Sequence, residues 1–272
     1  MKQLLTIFIF ILFASCASFK NPREIKEAQI DGLKYESLKR YDLLRLNKSL
    51  KPNDELALCH KGEYAKANAL FKKKLDSNLK NYLYWNKIST CYILQKKYTQ
   101  ARKFLDLAMG TAKNTKQKAV VLNNIGVILL ETQNFQEAKE YFKKSTELSK
   151  KFLTPKYNLT QIFLKFGLYK KASKHLSFLI RQRPQDIDFL NSKAHLELMQ
   201  NNYKLALVYF NKIPKQYRSR DDIATNIAMT YFMLGLYEQA KKTLSNADKV
   251  DSFYMVSQLE INKKLDKKIG NR

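Results

Sequence analysis

The cysteine and histidine side chains, which are common metal ligands and catalytic groups, are few in this sequence and, apart from the adjacent Cys59 and His60, widely separated. They are Cys16, Cys59, Cys91, His60, His175 and His195. A structural zinc site needs closely spaced ligand pairs such as Cys-x-x-Cys, and the sequence contains no such pair. It also lacks the His-Glu-x-x-His motif, a Gly-rich phosphate-binding loop and a nucleophile elbow. We therefore expect a non-enzymatic protein with no catalytic residues, no metal and no cofactor.

Cys16 follows a segment that is typical of exported proteins. Residues 4–14 are apolar except for Thr6, after a start made basic by Lys2. This run is about half of the roughly 20 residues that a membrane-spanning helix needs, but it matches the apolar core of a secretory signal. The sequence FASC at residues 13–16 then resembles the bacterial lipobox, with Phe13 where leucine is usual.

The lipobox resemblance implies a lipoprotein. Residues 1–15 are then a signal peptide that is removed, and Cys16 carries the acyl chains, palmitate among them, that anchor the protein in a membrane. Residues 17–18 lack the acidic signal that retains many lipoproteins at an inner membrane. We therefore expect a cell-envelope location, at the outer membrane facing the periplasm or at the cell surface. An ordinary signal peptide or a short membrane anchor is the alternative.

Composition favours a helical and strongly basic protein. The 272 residues are 45% apolar and include only 7 Gly and 5 Pro. A protein of many short strands needs more of these turn-forming residues. Fifty Lys and Arg against 24 Asp and Glu give a formal net charge of +26. Such a charge selects acidic partners, but export removes nucleic acid as the usual one. Anionic lipid or another polyanion remains.

An aromatic residue followed three positions later by alanine recurs six times. Successive aromatic residues are 34, 37, 34, 34 and 34 positions apart. The six pairs are Tyr64/Ala67, Tyr98/Ala101, Phe135/Ala138, Tyr169/Ala172, Tyr203/Ala206 and Tyr237/Ala240. Apolar residues lie at helical spacing on both sides of each turn. The pattern resembles the tetratricopeptide repeat (TPR) family, which implies an all-α fold, a right-handed TPR solenoid of about six helix-turn-helix repeats.

Small residues on the predicted first helices strengthen this resemblance. They are Ser89, Gly126, Thr160, Ala194 and Ala228. Two departures stand out: Pro52 and Glu55 make the first helix of the first repeat short or degenerate, and the 37-residue step implies an insertion near residues 110–118. We assign residues 16–47 to a lipid-anchored tether and N-terminal helix, residues 48–252 to the repeats and residues 253–272 to a C-terminal capping helix.

The resemblance also implies a binding groove, because first helices line the concave face of TPR solenoids. The residue two positions before the small column often points into that groove, and here these residues are Lys87, Asn124, Asn158, Ser192 and Asn226. Asparagine is a mediocre helix former, and its amide can bind an extended peptide backbone. Asn86, Asn123, Asn191, Tyr157 and Gln161 widen this strip. The alternative is that asparagine is simply common in this chain.

These observations predict a lipid-anchored TPR adaptor or scaffold. Its groove binds a protein or peptide partner of the cell envelope, in envelope assembly or in regulation of a cell-wall enzyme. The alternative function is a scaffold whose basic surface binds anionic lipid or another polyanion. The basic, amphipathic segment 259–269 is a candidate membrane contact. Cys59 and Cys91 fall on consecutive first helices, either as a disulfide or as two buried thiols.

Overall fold

The computed structural model describes Lys34, residues 54–248 and residues 253–270. The predicted signal peptide, Cys16 and the predicted tether apart from Lys34 lie outside the described residues. The described part contains thirteen α-helices and no β-strand. They are α1 (Glu55–His60), α2 (Tyr64–Lys73), α3 (Tyr82–Leu94), α4 (Tyr98–Thr111), α5 (Thr115–Glu131), α6 (Phe135–Leu148), α7 (Thr154–Lys165), α8 (Tyr169–Gln182), α9 (Ile187–Met199), α10 (Tyr203–Asn211), α11 (Asp221–Met233), α12 (Tyr237–Ser245) and α13 (Phe253–Ile269).

Helices α1–α12 form six helix-turn-helix pairs, with the odd-numbered helix first in each. The two helices of every pair pack against each other, and first helices of neighbouring pairs also meet, as α3 meets α5 and α9 meets α11. Each unit thus contacts mainly its neighbours in sequence, which is the arrangement of a solenoid. The predicted all-α repeat fold is confirmed.

The turn within each pair contains one residue with positive φ. Glycine occupies three of these positions, with φ of 77° at Gly62, 66° at Gly167 and 73° at Gly235. Non-glycine residues occupy the other three, at Lys96, Gln133 and Asn201. The backbone N–H that follows donates to a carbonyl five residues earlier in all six turns, as from Leu168 to Phe163 at 2.8 Å. This Schellman geometry ends each first helix at the same point of the repeat.

The alanines of the repeated aromatic-x-x-alanine pattern lie at the contact between the two helices of each pair. All six are completely buried (Ala67, Ala101, Ala138, Ala172, Ala206 and Ala240). The small residues on the first helices are buried as well. A small side chain in both columns lets the two helices approach closely, so the predicted packing register is confirmed.

The two departures from a regular repeat have simple structural outcomes. Helix α1 is only six residues long, with the side chain of Asp54 accepting a hydrogen bond from Leu56 N–H as its cap. The three extra residues of the second period lie where α4, of 14 residues, is followed by α5, of 17 residues. The insertion is therefore accommodated by a longer α5 rather than by a long loop, since α4 has the same 14 residues as α6 and α8.

A disulfide joins Cys59 on α1 to Cys91 on α3, with the two Cα atoms 5.3 Å apart. Both cysteines are completely buried. The sequence left open a disulfide or two buried thiols, and the structure has the disulfide. The bond ties the shortest helix of the solenoid to its neighbour.

Helix α13 closes the C-terminal end of the solenoid. Ile261 and Leu265 are buried against Ala228, Ala240 and Leu244. Much of the apolar face that the sequence offered for membrane contact is therefore used for packing, while Leu259 is 54% exposed. Within the described part of the chain, no helix combines the length and the hydropathy that crossing a bilayer requires.

Candidate functional site on the first helices

Asparagine side chains of α3, α5 and α7 form a chain of hydrogen bonds across three repeats. The amide of Asn124 donates to the side-chain oxygen of Asn86 at 2.9 Å. Asn123 donates to Asn124 at 3.0 Å, and Asn158 donates to Asn123 at 2.9 Å. All four residues are buried. These asparagines, which we call the amide chain, therefore bond to one another, whereas their amides were predicted from the sequence to face a partner.

The remaining predicted groove residues continue this pattern towards the C-terminal repeats. The Gln161 amide donates to the Ser192 hydroxyl at 3.1 Å, and that hydroxyl lies 3.5 Å from the Tyr157 hydroxyl. Asn226 donates to Asn191 at 3.1 Å. Gln161 and Asn226 are partly exposed, whereas Ser192, Tyr157 and Asn191 are buried. The structure thus brings these residues together in a line along α7, α9 and α11.

Lys87 has a different role from its neighbours in the predicted groove. Its ammonium lies 2.8 Å from the Asp54 carboxylate and 3.6 Å from that of Glu55. Glu55 also pairs with Lys74, and this hydrogen bond raises the pKa of the Lys74 ammonium above its usual value. Lys87 therefore holds the start of α1, and its charge is engaged within the first two repeats.

A cation site of two carboxylates and two aromatic rings lies where α7 and α9 meet. The ammonium of Lys34 is 2.6 Å from Asp188 and 3.1 Å from Asp186. It also lies 4.8 Å from the ring centre of Phe189 and 5.3 Å from that of Tyr157. Carboxylates and the faces of aromatic rings both attract a cation. We call the four residues that surround Lys34 the lysine pocket.

The lysine pocket is connected to α11 through Arg220. The guanidinium of Arg220 lies 3.0 Å from the second oxygen of Asp188 and 2.7 Å from Asp222. Asp222 in turn accepts a hydrogen bond of 2.7 Å from Asn191. Ion pairs this deeply buried need such additional hydrogen bonds to offset the cost of desolvation. The pocket, Arg220 and the Asn191–Asn226 pair thus form one continuous polar network.

Asp186, Asp188, Arg220 and Asp222 were not predicted from the sequence as functional residues. A signal was available for two of them, because Asp188 lies four residues before Ser192 on α9 and Asp222 lies four residues before Asn226 on α11. Residues four apart share one face of a helix. The acidic residues therefore occupy the predicted groove strip one turn earlier. Asp186 was recognisable only as a helix cap, since it accepts hydrogen bonds from the N–H groups of Asp188 and Phe189.

The three histidines lie on different helices, α1, α8 and α9. Burial lowers the pKa of His60 from 6.5 to about 4. The pKa of His175 is also lowered, first by burial and then by the nearby charge of Lys156. The ring of His175 packs edge-on against Phe163, 5.2 Å between centres. Both side chains are therefore neutral parts of the helical packing at neutral pH.

The polar face can bind and orient a ligand through charge and hydrogen bonds. In residues 54–248 and 253–270, together with Lys34, no group of three or more His, Cys, Asp or Glu side chains is arranged to hold a metal ion. The features that the described residues do offer are the amide chain, the lysine pocket and the network behind it.

Comparison with known proteins agrees with this architecture. Residues 81–151 match the family model of the tetratricopeptide repeat. Among curated proteins, BBSome complex member BBS4 of Bos taurus is 21% identical over 187 residues, which are 69% of this chain and 35% of that protein. This chain therefore spans about a third of the length of that relative.

Two solved structures share the fold at low sequence identity. A tetratricopeptide repeat protein from Parabacteroides merdae superposes with a TM-score of 0.57 at 16% identity, covering 87% of each chain. PilW, described as a widely conserved type IV pilus biogenesis factor, superposes with a TM-score of 0.55 at 22% identity, covering 70% of this chain and 87% of its own. The match of residues 81–151 to the family model, the six helix pairs and the buried alanines together show that the chain contains tetratricopeptide repeats.

Proposed function

We propose that this protein is a lipid-anchored adaptor that holds a segment of another cell-envelope protein against the face of its first helices. Tetratricopeptide repeats are protein–protein interaction modules. The observation that carries the proposal is Lys34, a residue from outside the repeats whose side chain is inserted between α7 and α9. The face formed by the first helices therefore already binds a side chain from a segment of this chain that lies outside the repeats.

The proposed location is supported by two independent features. The FASC sequence at residues 13–16 places a cysteine where bacterial lipoproteins are acylated. The disulfide between Cys59 and Cys91 is a bond that persists in oxidising compartments such as the periplasm and is rare in the cytosol. PilW, which has the same fold, is described as a pilus biogenesis factor. Assembly of an envelope structure such as a pilus is one form that the proposed adaptor role could take.

Metabolic labelling with palmitate tests the anchor. The Cys16→Ala variant should lose the label and accumulate as a precursor or as a soluble protein, because no other group of the chain then receives the acyl chains. The matched control is the Cys59→Ala/Cys91→Ala double variant, which keeps Cys16 and should keep the label. Undiminished labelling of the Cys16→Ala variant would refute the lipid anchor.

Site-specific photo-crosslinking in intact cells tests the adaptor function. A photoreactive residue at Gln161, which is partly exposed on α7, should give a discrete crosslinked product with an envelope protein. The control position is Lys103, which is exposed on the second helix α4, where we expect no such product. Products that appear equally at both positions would contradict binding through the first helices.

Salt distinguishes the adaptor from a scaffold for polyanions. Pairs of exposed lysines recur on the second helices, namely Lys72/Lys73, Lys143/Lys144, Lys170/Lys171 and Lys241/Lys242. Binding through these charges falls steeply as salt rises and with Lys→Gln changes at these positions. Binding through the first helices should survive the Lys→Gln changes and should fall less with salt, because charge pairs buried at an interface are screened much less than exposed ones. Loss of the crosslinked product in the Lys→Gln variants would favour the polyanion scaffold.

A further inference from the structure

The lysine pocket has the composition of a recognition site for an ammonium group. Its carboxylates accept hydrogen bonds from the Lys34 ammonium at 2.6 Å and 3.1 Å. Its two rings lie within the distance, about 6 Å, at which a cation is attracted by an aromatic face. The Lys34 side chain is only 10% exposed in this position. An apolar side chain of the same length would leave the carboxylates without this ammonium.

The pocket is held in shape by contacts that do not involve Lys34. Asp186 is fixed as the cap of α9 by hydrogen bonds from the N–H groups of Asp188 and Phe189. Asp188 is held from the other side by Arg220, at 3.0 Å. The rings of Tyr157 and Phe189 pack on each other with centres 5.5 Å apart. Because these contacts already order the pocket, its side chains lose little conformational entropy when a ligand binds.

The charge of the pocket is opposite to that of the chain. The protein has a formal net charge of +26, yet the pocket presents the two carboxylates of Asp186 and Asp188, of which Asp188 is shared with Arg220. Most of the surface therefore repels a basic ligand and this site attracts it. Such local complementarity selects among partners more than it raises affinity.

We propose that the lysine pocket recognises a lysine side chain of the partner and that Lys34 occupies it as an intramolecular competitor. This inference rests on the proposed adaptor function and names the chemistry that its partner must present. Lys34 precedes the first repeat helix by about twenty residues in the sequence, so it acts as a tethered ligand. Tethering on this scale gives effective concentrations of the order of millimolar, and a partner must displace Lys34 to bind.

A peptide supplied in trans tests the proposal on the purified full-length chain in detergent. The probe is a fluorescent peptide of residues 28–40, compared with the same peptide carrying methionine in place of its Lys34. The Lys34→Met protein should bind the lysine peptide at least tenfold more tightly than the unmodified protein, because the Lys34 ammonium no longer competes for the pocket. The methionine peptide should bind at least tenfold more weakly than the lysine peptide. The control protein is Lys72→Met, which changes an exposed lysine of α2 and should behave like the unmodified chain.

Two results would overturn the proposal. One is equal affinity of the Lys34→Met and unmodified proteins for the lysine peptide. The other is equal affinity of the Lys34→Met protein for the two peptides, a comparison that changes nothing in the protein and is therefore independent of folding. Adding Asp188→Asn to Lys34→Met should abolish the preference for lysine. If the peptide experiment shows no preference for lysine but Gln161 still gives a crosslinked product, lysine recognition is rejected and the adaptor function stands. If the lysine peptide binds but no crosslinked product forms, the adaptor function is rejected.

Discussion

The ring of Phe142 on α6 occupies the space that a side chain on Gly126 of α5 would need. A Cβ atom at position 126 would lie 2.6 Å from Cε1 of Phe142 and 2.9 Å from its Cδ1. Phe142 is completely buried, so its ring has little room to move. Gly126 is thus required in mid-helix, where glycine is otherwise unfavourable, because the two helices of the third repeat meet at this point.

Alanine at position 126 should therefore destabilise the protein although alanine is the better helix former. We expect the free energy of unfolding of Gly126→Ala to fall by about 1–3 kcal/mol, the usual cost of overpacking. The matched variant is Gly110→Ala on α4, where a Cβ would meet nothing within 4 Å. It should gain up to about 1 kcal/mol from helix propensity. Denaturant unfolding of both variants checks the opposite signs, and a stabilised Gly126→Ala protein would contradict the packing.

The amide chain makes a second stability prediction. The Asn124→Ala variant removes two buried hydrogen bonds, to Asn86 and from Asn123. Loss of such bonds costs about 1–3 kcal/mol. The control is Asn68→Ala on the exposed side of α2, which should be neutral or gain up to about 0.7 kcal/mol because alanine is the better helix former. Equal melting temperatures for the Asn124→Ala and Asn68→Ala proteins would show that the amide chain contributes nothing to stability.

The disulfide should stabilise the N-terminal end of the solenoid. Cys59 and Cys91 are 32 residues apart, and closing a loop of this length in the unfolded chain is worth about 3–4 kcal/mol in the chain-entropy model. Since α1 has only six residues, its stability depends strongly on tertiary contacts. Reductant should therefore lower the unfolding midpoint of the unmodified protein. The Cys59→Ala/Cys91→Ala variant should unfold at a lower midpoint than the oxidised protein and should not respond to reductant.

His60 should make the stability depend on pH. Its pKa in the folded protein, about 4, is below the value of 6.5 for an exposed histidine, so the unfolded chain binds more protons between these two values. The contribution is fully present above pH 6.5 and is lost as the pH falls towards 4, by about 1.4 kcal/mol for each unit. Chemical unfolding at several pH values measures this slope. His60→Gln should reduce the slope without abolishing it, because the pKa of His175 is lowered in the same direction; an unchanged slope would exclude His60 as a source.

The sequence by itself determined the repeat architecture. Residues three and four positions apart define the helix faces, and the period of about 34 residues defines the helix pairs with their turns and alanine contacts. Helical periodicity and turn formation are local properties, and the same pattern occurs in every repeat. The exchange of glycine for lysine, glutamine or asparagine in three turns did not disturb this pattern, since the Schellman bonds that end the helices are made by the backbone.

The partners of the polar side chains were decided only by the tertiary structure. Stacking of neighbouring repeats brings Asn124 to within 2.9 Å of Asn86, 38 residues earlier, and turns the expected free amides into internal bonds. It also places Lys34 against Asp186, 152 residues later in the chain. A sequence pattern shows which face of a helix carries a polar group. The distance to a group in another repeat depends on how the helices pack, and for this reason the lysine pocket and the disulfide became visible only in the folded chain.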